Sequence, residues 1–195
     1  MPLVAGTPTL VAVVEAEAAR RAGGGDDGGA RRRRYRGFFE VPTECVRTWE
    51  TDGSVYTLVA LDDDRVVSGG YRVVSGDAAG EVKVWSVGTG DCERTLHFDG
   101  QVYSLAIDGE TLFIGLISGE IEAWNTVSWT RERTLEGHTP SCVSSLLLVG
   151  DLLVSGAGDT TTRVWSTTTW ECEHTLEGDT GSVVALALCG NTLAT

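Results

Sequence analysis

Residues 133–165 read RTLEGHTPSCVSSLLLVGDLLVSGAGDTTTRVW. A polar segment, RTL, is followed by an apolar run from Val143 (VSSLLLV), then by a short segment from Leu152 (LLVSG), and then by a turn and a segment ending at Trp165. Gly, Asp and Ser stand at the breaks. Short runs rich in apolar and β-branched residues, bounded by such turn formers, predict strands.

The same order of segments recurs along the chain. RTW at Arg47, RTL at Arg94, RTL at Arg133 and HTL at His174 are spaced by 47, 39 and 41 residues. Each leads into an apolar run: VYTLVAL from Val55, VYSLAI from Val102, VSSLLL from Val143 and VVALAL from Val183. Third segments close on Trp85, Trp124 and Trp165, which are 39 and 41 residues apart. A period of about 40 residues with four short strands per unit fits one blade of radially stacked sheets. The first strand of each unit is nearly continuously apolar, as a strand buried on both faces requires. The segments CERTL, RERTL and CEHTL are more polar and belong outside.

The first unit is seven residues too long. Residues 65–71 (RVVSGGY) are repeated almost unchanged in residues 72–77 (RVVSGD). Such a duplication is expected to emerge as a loop or bulge with fast hydrogen exchange, because a strand continued through it would shift Trp85 out of register.

From Val46 onward, over about 150 residues, the pattern resembles the WD-repeat (WD40) β-propeller family. The third unit carries the closest likeness, with Gly137-His138 before its first strand, Ser155 at the end of the second, Asp159 in the next turn and Trp165 in the third. The resemblance implies that His138, Ser155, Asp159 and Trp165 form a buried hydrogen-bonded tetrad. The other units depart from this pattern. Ala79 and Ser118 stand where the Asp would be, Ile114 replaces the Ser, and TDG (51–53) or FDG (98–100) replaces Gly-His. Trp85-Ser86, Trp124-Asn125 and Trp165-Ser166 replace the family's Trp-Asp. One full tetrad is therefore expected.

These features assign an all-β fold: a partial β-propeller of about three complete four-stranded blades with partial flanking strands. Residues 44–195 are the repeat portion, in units of about 44–90, 91–130, 131–170 and an incomplete 171–195. Seven units of this length need about 280 residues. An open array leaves apolar faces and strand edges uncovered. The expectation is of part of a longer array, or of further blades supplied by a second chain.

Residues 1–43 form a Gly- and Arg-rich segment. A short helix over 10–22, capped by Thr9 and stopped by Gly23, is expected there. GGGDDGG (23–29) reads as a flexible linker and lacks the GK[ST] ending of a phosphate-binding loop. The run 31–36 (RRRRYR) reads as a solvated linker or a nuclear-import patch.

The chain has 195 residues, 42% of them hydrophobic, which is enough to bury a substantial core. No window approaches 18 consecutive apolar residues, and there is no secretory layout at the N-terminus. The five cysteines make no CxxC pair, so reduced thiols are expected. An intracellular protein is implied, cytoplasmic or, should residues 31–36 act in import, nuclear. Net charge is −13, distributed as +2 over residues 1–40 and −15 over 41–195. An acidic body repels phosphate backbones, so basic peptides rather than nucleic acid or membrane are the matched partners.

No catalytic, metal or cofactor site is expected. Cys45, Cys92 and Cys172 occupy one position of the repeat, so Cys92 with His97, and Cys172 with His174, read as outer-strand residues rather than a zinc site. Asp62–64 read as a polar turn, and residues 160–162 and 167–169, all Thr, as β-branched residues in and beside a strand. None of the three histidines has the partners of a nucleophilic triad.

The resemblance implies a non-enzymatic scaffold that binds proteins or peptides through blade loops. These are residues 50–54, 98–101, 136–141 and 177–181 before the first strands, and 78–80, 117–119 and 158–160 between the second and third. Asp52, Gln101, Thr139, Ser141 and Asp179 are the candidate contacts, with acids suited to basic ligands. The alternative is a substrate-recruiting part of a larger enzyme, such as a ubiquitin ligase or kinase-linked regulator. Residues 1–43 carry no motif of either.

Overall fold

The computed structural model describes residues 9–11, 48–51, 53–62, 65–74, 77–189 and 192–195. Most strands gather into three four-stranded antiparallel sheets in meander order. The first contains β3 (Ser54–Ala60), β4 (Arg65–Val74), β5 (Asp77–Ser86) and β6 (Cys92–Phe98). The second contains β7 (Val102–Asp108), β8 (Thr111–Leu116), β9 (Glu120–Asn125) and β10 (Thr130–Glu136). The third contains β11 (Val143–Val149), β12 (Leu152–Ala157), β13 (Thr162–Ser166) and β14 (Cys172–Leu176). Two short pairs flank them: β1 (Thr9–Val11) with β2 (Thr48–Glu50), and β15 (Ala187–Cys189) with β16 (Thr192–Ala194). No helix occurs among the described residues. Each sheet draws three strands from one sequence unit and its fourth from the next, so the outer strand ties successive units together.

Burial falls from the inner to the outer strands. Val102, Leu105 and Ala106 on β7 and the whole of 112–116 on β8 are buried, whereas β14 is exposed along its length. The strand β3 differs from the expected continuous burial, because Ser54, Tyr56, Leu58 and Ala60 alternate outward. Two apolar clusters join the sheets. Val67, Val82, Val84 and Phe98 of the first sheet meet Val102, Leu105, Leu112 and Ile114 of the second. Phe113, Ile121 and Leu135 of the second meet Val143, Leu153 and Trp165 of the third.

One packing device is repeated at each junction. Gly69, Gly115 and Gly156 hold the same place on β4, β8 and β12, and the first valine of the following unit seats against each. A Cβ on Gly69 would lie 2.7 Å from Val102 Cγ1, on Gly115 2.9 Å from Val143 Cγ1, and on Gly156 2.4 Å from Val183 Cγ1. These three valines are 0%, 0% and 3% exposed. Opposite each glycine the inner strand slips register, between Val55 and Thr57, Val102 and Ser104, and Val143 and Ser145. A bulge of this kind bends and twists the strand locally. At the second junction Ser104 Oγ also donates to the Val143 carbonyl at 2.8 Å.

Two expectations are corrected. The duplicated residues do not emerge as a loop or bulge between β4 and β5. The two strands pair without a break from Arg65↔Ser86 through Val74↔Asp77. In an antiparallel hairpin, residues added at the tip lengthen both strands and leave the base register untouched. Val66 therefore still faces Trp85, as Leu112 faces Trp124 and Leu153 faces Trp165. Pairing with β3 and β6 stops at Tyr71 and Gly80, so the extra length stands out as a two-stranded finger. At the other end of the chain, Leu10 and Val11 lie in a strand paired with Thr48 and Trp49, not in a first helical turn. The run LVAVV is rich in β-branched valine, which suits a pleated strand as well as a helix face. The remainder of the expected helix, the linker 23–29, the basic run 31–36 and Cys45 lie outside the described residues.

Candidate functional site

Antiparallel pairing places the loop before each first strand at the same end of its blade as the turn between the second and third. In the third blade a chain of polar side chains spans these two loops. His138, 1% exposed, sits in the loop before β11. Its Nδ1 lies 2.9 Å from Asp159 Oδ2 in the β12–β13 turn, and its Nε2 lies 2.7 Å from Ser155 Oγ. Trp165 Nε1 on β13 donates to the same Ser155 Oγ at 2.8 Å. Asp159 Oδ1 accepts from the Thr161 amide at 3.0 Å and from the Thr161 hydroxyl at 2.8 Å.

With a neutral ring, one assignment of protons satisfies this chain: the indole donates to the serine, the serine hydroxyl to Nε2, and Nδ1–H to the carboxylate. The electrostatics agree. Burial lowers the pKa of His138 below its ordinary value, opposed by the hydrogen bond and charge of Asp159. Burial alone would raise Asp159, but its bonds from His138 and Thr161 outweigh this and lower it. The His138–Asp159 contact is thus a hydrogen bond from a neutral ring to a carboxylate.

The other blades solve the same problem differently. In the first, Trp85 Nε1 donates to Ser68 Oγ at 2.9 Å. In the second, Ile114 leaves no hydroxyl, and Trp124 Nε1 turns to Glu122 Oε2 at 2.7 Å. Glu122, 7% exposed, is held on its other oxygen by Arg131 Nη1 at 2.7 Å. Reading the sequence missed Glu122. The alternation Glu120-Ile121-Glu122-Ala123-Trp124 suggests a solvent-facing carboxylate, and the available signal was the loss of the serine at 114 combined with Arg131 directly across from Trp124.

Thr139 and Ser141 adjoin this network, and Gln101 and Asp179 stand in the corresponding loops of other units. Ser141, half-buried, donates its amide to the His138 carbonyl at 2.7 Å, and Thr139 is exposed beside a cis bond to Pro140. Gly119 of the second blade, at φ +91°, abuts the main chain of His138 and Thr139, where a Cβ would come within 2.6 Å. That contact couples adjacent blades at the loop end. Gln101, half-buried, accepts the Ile117 amide on its carbonyl and the Tyr103 hydroxyl on Oε1, both at 2.9 Å. Asp179, exposed, accepts from Thr195 Oγ1 at 3.0 Å. Asp52 lies outside the described residues.

Cys92 and Cys172 take matching places: each faces a blade tryptophan and donates its thiol to the carbonyl two residues on, at 3.3 and 3.4 Å. Among the described residues no three His, Cys, Asp or Glu side chains converge as metal ligands, and no helix is long and apolar enough to cross a membrane.

Residues 129–166 match the family described as "WD domain, G-beta repeat". No curated protein matches the chain. Among solved structures, the WD40 repeats of RRP9 align at 25% identity and TM-score 0.61 over 70% of this chain and 42% of that one. U3-55K aligns at 25% identity and TM-score 0.61 over 70% and 43%. The computationally designed Ika4 protein aligns at 25% identity and TM-score 0.61 over 73% and 84%. The chain therefore spans less than half the length of the first two. Residues 129–166 thus resemble a WD repeat, and the three four-stranded sheets have the blade architecture of the WD40 repeat structures that the chain matches. WD40 repeats generally mediate protein–protein interaction, and the fold is typically a non-enzymatic scaffold.

Proposed function

We propose that this protein is a docking platform whose loop end binds basic segments of other proteins. The observation that carries this reading is the His138–Asp159 bond, which fastens the loop before β11 to the β12–β13 turn. Binding loops work when a stiff frame presents them. The glycine–valine junctions supply that frame, and the tetrad and the Gly119 contact extend it to the loops. Gln101, Thr139, Ser141 and Asp179, with Asp52, are the contacts we assign to partners, and the net charge of −15 over residues 41–195 favours Lys- and Arg-rich ligands. We place such a platform inside the cell, in the cytoplasm or the nucleus, where the thiols of Cys92, Cys142, Cys172 and Cys189 stay reduced.

The test is an immobilised panel of basic, neutral and acidic peptides probed with the whole chain at 50 and 300 mM salt. Preference for basic peptides, weakening with salt and lost in Asp52→Ala/Asp179→Ala, supports the reading. Salt-independent binding, or preference for acidic peptides, overturns it.

A further inference from the structure

The turn between the third and fourth strands holds a residue in the left-handed region in every blade: Gly90 at φ +84°, Trp129 at +57° and Trp170 at +66°. In each case that residue's amide donates to the carbonyl four positions back, Ser86, Asn125 or Ser166. Glycine suits such a turn, whereas a large side chain is strained there. Both tryptophans offset the strain by reaching back onto the preceding blade. Trp129 packs on the cluster between the first and second blades, and Trp170 lies 6.0 Å from Phe113 in the second.

Each tryptophan also meets the arginine of an R-T-L segment, and here the two junctions differ. Arg94 Cζ stands 5.3 Å from the centre of the Trp129 ring, in cation–π range. Arg133 is the equivalent of Arg94, 39 positions on. Its Nη1 instead donates to the Glu132 carbonyl at 2.8 Å, and Arg133, Glu132 and Trp170 line an open cleft on the outer rim. The preceding junction shows which chemical group such a place accepts.

The geometry points to the Trp170–Glu132 cleft as a docking site for an arginine from a basic segment of a partner protein. The guanidinium lies over the indole as Arg94 lies over Trp129, with the Glu132 carboxylate supplying the opposite charge. Arg133 is the internal competitor for this place. The site rests on the reading of the chain as a platform for basic segments, and adds an outer-rim contact to the loop end.

The experiment is fluorescence anisotropy of a labelled Gly-Arg-Gly-Arg-Gly-Arg peptide and its lysine counterpart against the whole chain at 150 mM salt. The arginine peptide binds about fivefold more tightly than the lysine one, since a guanidinium stacks on an indole better than an ammonium does. Trp170→Leu weakens the arginine peptide about fivefold, Arg133→Ala tightens it about twofold, and Arg94→Ala opens a second equivalent site. The two arginine variants leave the core intact and carry the test should Trp170→Leu fold poorly. No binding by the wild type, wild-type affinity in folded Trp170→Leu, or weaker binding in Arg133→Ala overturns the rim site. Loss of binding in Asp52→Ala/Asp179→Ala with none in Trp170→Leu overturns the rim site and leaves the platform standing.

Discussion

The imidazole of His138 and the carboxylate of Asp159 are joined at 2.9 Å across the gap between two loops of the third blade, with the ring neutral. The folded protein therefore resists a proton that the unfolded chain accepts. His138 is lowered from 6.5, so its contribution to stability is complete above about pH 6.5 and is lost as pH falls from there through the lowered folded value. Asp159, lowered from 3.8, acts in the same sense at still lower pH. Urea unfolding followed between pH 8 and 5 should show a midpoint that is flat above 6.5 and declines below it. His138→Ala should remove that decline and cost about 1–3 kcal/mol at pH 8, because Ser155 and Asp159 lose their partner.

Ser155 serves two partners and Ser68 serves one. Ser155→Ala strands both the Trp165 indole and His138 Nε2 in a buried site, whereas Ser68→Ala strands the Trp85 indole alone. The first should cost about 2–3 kcal/mol and the second about 1 kcal/mol, read from denaturant midpoints at pH 8. Equal costs would show that the third blade's network adds nothing to a single indole bond.

Gly156 has no room for a methyl group because Val183 Cγ1 occupies the place. Gly156→Ala should destabilise by about 1–3 kcal/mol through overpacking. Combined with Val183→Ala, which removes the closest atom and leaves Val183 Cβ at 3.0 Å, the double variant should lose less than the sum of the two singles. A purely additive cycle would mean that the junction yields elsewhere and the glycine is not a packing requirement.

The strand order and the tetrad of the third blade were legible because each depends on residue types whose spacing is set by the 40-residue period. What escaped depends on long-range geometry. Glu122 becomes buried only because Ile114 and Arg131 meet it from neighbouring strands, and no period reveals a replacement of one acceptor by another. Trp129 and Trp170 stand where a turn asks for glycine, and only the blade behind them explains their tolerance. The finger escapes a register rule because residues added at a hairpin tip lengthen both of its strands equally. The base of a hairpin is held by its own pairs, whatever is added beyond them.

Glu122 offers a separable test of the second blade. Its carboxylate accepts from Trp124 on one oxygen and from Arg131 on the other. Glu122→Gln keeps an oxygen for the indole and gives up the ion pair, so a loss of under about 1 kcal/mol is expected, Arg131 being half exposed. Glu122→Ala leaves the indole unpaired and should cost about 1–3 kcal/mol. Indistinguishable losses would assign the stabilisation to the arginine instead.

Deleting residues 71–77 brings the finger to the length of the other hairpins. Val66 and Trp85 are then 12 positions apart, as Leu112 and Trp124 are, and Gly80 takes the turn position that Gly119 fills at φ +91°. The core residues Val66, Val67, Val82 and Val84 all lie below the cut, and the Ser68–Trp85 bond is untouched. The deleted chain should keep its thermal midpoint within about 3 °C, a shift of no more than about 1 kcal/mol for a protein of this size. Amide exchange should be slow at Val67 and Val84 in both forms and fastest toward Val74 in the parent, because a ladder frays from its free end. A large drop in midpoint would mean that the finger braces the blade and that its added pairs contribute to the core.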